Sequence, residues 1–133
     1  MGIYLGMPHG NGPFPAVVVS QAAGGVDEFI QSIVDRLAAE GYAAAAPELY
    51  HRTTEEIERT TGKTRRQLLD DMEIVADIDA TVSFLQSHPS VNNRQIGVTG
   101  FCMGGRVAWL AAVSNADFKV CVPFYGGFIR DPW

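Results

Sequence analysis

Cysteine and histidine are both scarce in this chain of 133 residues, with two cysteines, Cys102 and Cys121, and three histidines, His9, His51 and His88. Two thiols are too few for a disulfide framework, so a reducing cytoplasm is the expected compartment. Basic residues are outnumbered, 10 against 15 acidic for a net charge of −5, and no basic run exceeds Arg65-Arg66. That balance argues against a nucleic-acid backbone or an anionic membrane as partner. Long hydrophobic runs are missing too. The nearly uncharged stretches 13–26 and 41–47 are broken by Gly, Pro, Ser or Gln and fall short of the roughly 20 apolar residues that span a bilayer. Met1-Gly2-Ile3-Tyr4 has neither the positive start nor the apolar run of a secretory signal, and Gly6 stands where a myristoylation motif has Ser or Thr. No cluster of His, Cys, Asp and Glu has metal-ligand spacing, so neither metal nor cofactor is expected.

What remains is an ordinary globular composition, 47% apolar and 19% charged, which is too hydrophobic for disorder. At roughly 150 residues per domain, residues 1–133 make one domain at most. Four short apolar runs, Ala16-Val17-Val18-Val19, 42–46, Ile96-Gly97-Val98-Thr99 and Val120-Cys121-Val122-Pro123-Phe124, lack polar alternation and read as strands buried on both faces. Helical patterns lie between them. Residues 27–40 place Ile30, Ile33, Val34, Leu37 and Ala38 on one stripe and stop at Gly41. Leu68, Met72, Val75, Ile78, Val82 and Leu85 form a second stripe, and a third helix is predicted over 103–113. Strands alternating with helices give the α/β class, a parallel sheet with helices on both faces joined by right-handed crossovers. Residues 52–63, rich in Thr and charge, read as a loop or a short irregular helix above the sheet.

Chemistry concentrates at Thr99-Gly100-Phe101-Cys102-Met103-Gly104-Gly105-Arg106, which follows a strand and opens a helix. This is the setting of the nucleophile elbow G-x-S-x-G, with Cys for Ser. The turn is so sharp that the flanking residues must be small, and it pushes the nucleophile out at the top of the sheet. The helix N-terminus beneath offers unpaired N–H groups and a partial positive charge, which favour a thiolate and stabilise an oxyanion. Two competing readings are a small core cysteine in a Gly-rich turn and a phosphate-binding loop. The glycines do not fit G-x-G-x-x-G, however, and a P-loop Lys is missing.

With Arg36-Leu37-Ala38-Ala39-Glu40-Gly41-Tyr42 leading to Ala46-Pro47-Glu48-Leu49-Tyr50, and Phe124-Tyr125-Gly126-Gly127 after the fourth run, the chain resembles the dienelactone hydrolase family from about Gly12 onward. This is a cysteine-nucleophile branch of the α/β-hydrolases whose members hydrolyse lactones and related esters. The resemblance implies a three-layer α/β-hydrolase-like sandwich, here C-terminally incomplete, acting on a small-molecule ester or lactone. It makes Cys102 the nucleophile, the Met103 N–H one oxyanion donor, and the Ala23 N–H, in the loop 20–24, the second. Two departures stand out. Ala22 occupies the place where the family commonly carries an acid beside Gln, and no histidine follows Cys102, so the family's acid and base are expected beyond Trp133.

Position in a parallel sheet sorts the other candidates, because ligands bind where the strands end. His9 and His88 precede strands and belong at the bottom, as does Asp117. His51 follows the second strand and is the one internal candidate for a base. Asp131 is a C-terminal loop charge with a lesser claim to a catalytic role. Tyr50, Arg52 and Tyr125 follow strand ends and are candidates to line the substrate pocket, with Arg52 suited to a substrate carboxylate. Arg65 and Arg66 read as a solvated helix face. A sheet that stops at 120–124 leaves an apolar edge, which predicts a homodimer through that edge. The alternative functional reading is a non-catalytic α/β module for binding or assembly that kept the elbow, with thiol redox chemistry at Cys102 as a minor variant.

Overall fold

The computed structural model describes residues 1–129. Its strands are β1 (Ile3–Gly6), β2 (Phe14–Ser20), β3 (Ala43–Pro47), β4 (Val91–Phe101) and β5 (Phe118–Phe124), in the order β1-β3-β2-β4-β5. β3, β2, β4 and β5 run parallel, as the four apolar runs predict. The sheet is nevertheless mixed, because β1 pairs antiparallel with β3, Ile3 opposite Pro47. This strand lies outside the sequence reading: four residues at an edge are too short to stand out as an apolar run.

The helices are α1 (Glu28–Ala39), α2 (Glu55–Thr61), α3 (Asp71–Ser87) and α4 (Met103–Ser114). Side chains along a strand alternate between faces, and the core divides accordingly. Val19, Ala44 and Ala46 pack with Ile30 and Val34 of α1. Ala16, Val18, Ala43, Ala45, Ile96 and Val98 pack on the opposite face with Ile74, Ile78, Val82 and Leu85 of α3 and Val107, Ala108 and Ala111 of α4. Asp27 caps α1 by accepting from the Ile30 N–H at 3.1 Å, and Gly41, at φ 96°, ends it where predicted.

Two helical expectations change. Residues 52–63 hold a regular helix, α2, capped by Thr54 and closed by Gly62 at φ 66°. In α3 the buried stripe is Ile74, Asp77, Ile78, Thr81, Val82 and Leu85, while Met72 is 82% exposed. Asp70 caps the helix through the Met72 and Glu73 N–H groups, which sets a phase that puts two polar residues inward and Met72 outward. β5 also departs from burial on both faces. Cys121 turns toward α4, its Sγ 3.3 Å from the Ala108 carbonyl, but Val120, Val122 and Phe124 are exposed because α1 packs over β1, β2 and β3.

Among the described residues, no helix is long and apolar enough to cross a membrane. The phase of the helices is testable by urea unfolding. Ile30→Ala, at a fully buried site, is expected to cost about 2–4 kcal/mol, whereas Met72→Ala is expected to stay within about 0.5 kcal/mol of the wild type.

Candidate active site

One residue joins β4 to α4. Cys102 adopts φ 57°, ψ −120°, a backbone conformation that costs a residue with a Cβ about 1–3 kcal/mol. Its surroundings enforce it. A Cβ on Gly100 would run into the Gly104 backbone, and one on Gly104 would run into the Ser20 and Gln21 carbonyls. The Cys102 N–H donates to the Phe124 carbonyl at 3.1 Å, and its carbonyl accepts from Gly105 at 2.9 Å. The thiol itself is exposed. These are the steric demands from which the elbow was inferred, and they make the small core cysteine the weaker reading.

Met103, the first residue of α4, is buried at 4% exposure. Beside it the chain leaving β2 forms a tight turn, closed by the Gly25 N–H donating to the Ala22 carbonyl at 3.0 Å. Ala23 lies inside that turn. The Ala22 methyl packs into the apolar cluster under α1, so this side chain contributes only packing. Two carboxylates lie beside the turn: Asp27, whose Oδ2 is 2.6 Å from where a Gly24 Cβ would stand, and Glu48, whose Oε2 is 3.8 Å from where a Gly25 Cβ would stand.

The next three predicted site residues share a short 3-10 turn, Leu49–Arg52, and the structure gives each an anchoring bond. Tyr50 is 6% exposed, and its hydroxyl donates to the Ala23 carbonyl at 2.9 Å. His51 Nε2 lies 3.0 Å from Asp77 Oδ2. The Arg52 guanidinium grips both Asp77 oxygens, at 2.6 and 2.8 Å. His51 is thereby held by α3 rather than offered to the thiol, and the charge of Arg52 is already paired. Residue position after a strand predicted the correct edge of the sheet but not the direction of three successive side chains. Asp77 itself was missed; its signal was a charge on the buried stripe, three residues after Ile74. Burial pushes the Asp77 carboxyl up, but the hydrogen bonds and charges of Arg52 and His51 outweigh it and hold the group below its ordinary value.

Tyr125 follows β5 at φ 40° and is 72% exposed. Near it the rings of Phe101 and Phe124 stack 4.8 Å apart. A cavity of about 600 Å³ is lined by Thr64, Arg66, Gln67, Leu69 and Phe128, with the Arg66 guanidinium 5.8 Å from the Phe128 ring centre. Arg66 therefore faces a cavity, and its charge bears on the Tyr50 phenol. Arg65 instead bonds Glu58 at 3.2 Å. Arg106, 5% exposed, holds both oxygens of Asp71 and so ties α4 to the start of α3. His88 accepts from the Ser90 N–H and Asp117 accepts from Gln86, both at the lower edge, where His9 also lies. Asp131 lies outside the described residues. No metal-holding cluster occurs among the described residues.

The sequence model of the dienelactone hydrolase family matches residues 1–132. The chain belongs to that family. Among relatives of this dienelactone hydrolase family chain, a protein of Methylorubrum extorquens named "Putative carboxymethylenebutenolidase" is 38% identical over 133 residues, covering 96% of this chain and 45% of the relative. A protein of the same name from Synechocystis is 36% identical, covering 95% and 54%. The crystal structure of a "Putative Dienelactone Hydrolase" from Klebsiella pneumoniae superposes with a TM-score of 0.80 at 33% identity, over 95% of this chain and 61% of that one. The fold is thus that of the α/β-hydrolases, and the chain spans about half the length of the curated relatives it matches.

Asp77→Asn tests the anchor of the Leu49–Arg52 turn. It is expected to lower the unfolding free energy by about 1–3 kcal/mol at pH 7. Because the folded carboxyl titrates below the unfolded value of about 3.9, its contribution is present above that pH and is lost as pH falls through the folded value. Urea unfolding of the two proteins should therefore converge in acid.

Proposed function

We propose that this protein hydrolyses small-molecule esters or lactones with Cys102 as the nucleophile. The observation that carries the reading is the strained, positive-φ backbone at Cys102, with the thiol exposed at the head of α4 and glycines on both sides. The thiolate attacks the carbonyl carbon, and the carbonyl π electrons move onto oxygen. The N–H groups of Met103 and Ala23 receive that oxyanion. Collapse breaks the carbon–oxygen bond to the leaving alcohol, which takes up a proton, and leaves a thioester on Sγ. Water then adds to the thioester, the carbon–sulfur bond breaks, and the acid and the thiolate are released. In a lactone the leaving hydroxyl stays tethered to the acid. The water's proton goes to a base, and the reading assigns that base and its acid to a His and an Asp beyond residue 133, residues 1–133 being one partial α/β-hydrolase domain. No metal or cofactor enters these steps. Tyr125 and the cavity beside Arg66 offer the aromatic and cationic lining for a substrate.

The reading extends to the chain's surroundings. Two free thiols suit the reducing cytoplasm. Where residues 1–133 stand alone, a second copy would cover β5, whose Val120, Val122 and Phe124 are exposed. Light scattering at micromolar concentration is expected to give twice the chain mass for the wild type and a single chain mass for Val122→Lys; a wild-type monomer would overturn the pairing.

The test of the chemistry is acylation by p-nitrophenyl acetate. A burst of one p-nitrophenol per chain is expected, with the acetyl group on Cys102 by mass spectrometry and no burst in Cys102→Ala. Iodoacetamide should label Cys102 well ahead of Cys121, whose half-buried thiol is pushed up by burial. A thiol that is alkylated rapidly but never acylated would favour the non-catalytic module, a reading that gains from His51 being bound to Asp77.

A further inference from the structure

The bonds around Tyr50 converge on the two residues assigned as oxyanion donors. The peptide that carries the Ala23 N–H carries the Ala22 carbonyl at its other end, and that carbonyl is held by the Gly25 N–H at 3.0 Å. In a planar trans peptide the N–H points opposite to the C=O, so this bond aims the Ala23 N–H away from Gly25. The next peptide, on the other side of the Ala23 Cα, is held through its carbonyl by the Tyr50 hydroxyl at 2.9 Å. Both peptides flanking Ala23 are therefore fixed, one by the turn itself and one by Tyr50. The same hydroxyl lies 3.7 Å from the Met103 Sδ, on the residue that carries the other donor.

Tyr50 is itself firmly mounted. Its N–H donates to Glu48 Oε1 at 3.0 Å, and the preceding Leu49 N–H donates to the buried Gln21 Oε1 at 2.9 Å. His51 and Arg52 fasten the other end of the turn to Asp77. The Tyr50 ring lies 3.5 Å from where a Gly25 Cβ would stand, an ordinary packing distance.

We propose that Tyr50 is a positioning residue, whose hydroxyl ties the Ala23 turn to Met103 and so holds the oxyanion hole in register over Cys102. This rests on the nucleophile and donor assignments proposed above. It replaces the expectation that Tyr50 lines the substrate pocket, which its burial opposes. Burial also pushes the phenol above its ordinary value, with Arg66 and Arg65 opposing and Glu48 reinforcing, so the hydroxyl keeps its proton to donate at neutral pH.

The two reactions of Cys102 separate this role from a purely structural one. Acylation by p-nitrophenyl acetate develops an oxyanion, whereas alkylation by iodoacetamide displaces iodide at a saturated carbon and develops none. Tyr50→Phe keeps the ring and removes the bond. It is expected to slow acylation about 10-fold, a part of the ~10²–10³ lost when an oxyanion donor is removed outright, while the alkylation rate stays within about 2-fold. Acylation unchanged relative to alkylation, a parallel fall in both, or a chain that fails to fold would each overturn the positioning role. A wild type that is alkylated but never acylated would instead overturn the esterase reading itself.

Discussion

The structure turns on the close backbone approach at the head of α4. Three chain segments meet there with no side chain between them: the end of β2 against Gly104, the end of β4 at Gly100, and the end of β5 against Gly105. None of these contacts survives a Cβ, and together they hold Cys102 in a conformation that an isolated peptide would avoid. Local strain and global sheet order are thus one problem. The parallel pairing of β2, β4 and β5 brings the strand ends to this point, and the Cys102 thiol is left exposed at their meeting.

Around that point α3 acts as a brace. Its acids reach in two directions: Asp71 to Arg106 in the first turns of α4, and Asp77 to His51 and Arg52 in the turn after β3. The two groups that frame the candidate site, α4 and the turn bearing Tyr50, are therefore referenced to the same helix. Arg106 and Asp77 are among the few charged residues removed from solvent, and each has its opposite charge within hydrogen-bond distance, as burial of charge demands.

Much of this was legible in the residues. The runs around Val18, Ala45 and Val98 are apolar on both sides because helices cover both faces there, and that pattern is visible without coordinates. The elbow was legible because its steric demand is written in glycines. The antiparallel β1 was not, since four edge residues satisfy no pattern. The phase of α3 was misread because Met72 carries an apolar side chain outward while Asp77 and Thr81 go inward with their partners. Tyr50, His51 and Arg52 were placed at the correct edge of the sheet, yet their roles depend on side-chain direction within a single 3-10 turn, which neighbouring residues decide and periodicity does not. Arg65 and Arg66 are exposed on a helical turn, as their charge suggested, but the cavity that Arg66 lines was not legible because it is closed by Phe128, about 60 residues away in sequence.

The hydrogen bond from the Cys102 N–H to the Phe124 carbonyl makes β5, an edge strand among the described residues, a structural neighbour of Cys102. Edge strands open more readily than central ones, because they have half the ladder partners and less burial. The turn at Cys102 consequently shares its opening equilibrium with β5: when the edge frays, Cys102 loses the bond that secures its backbone, and whatever occupies that edge sets how long the strained turn persists. Cover on the sheet's margin thereby becomes a determinant of how well the Cys102 thiol is aimed.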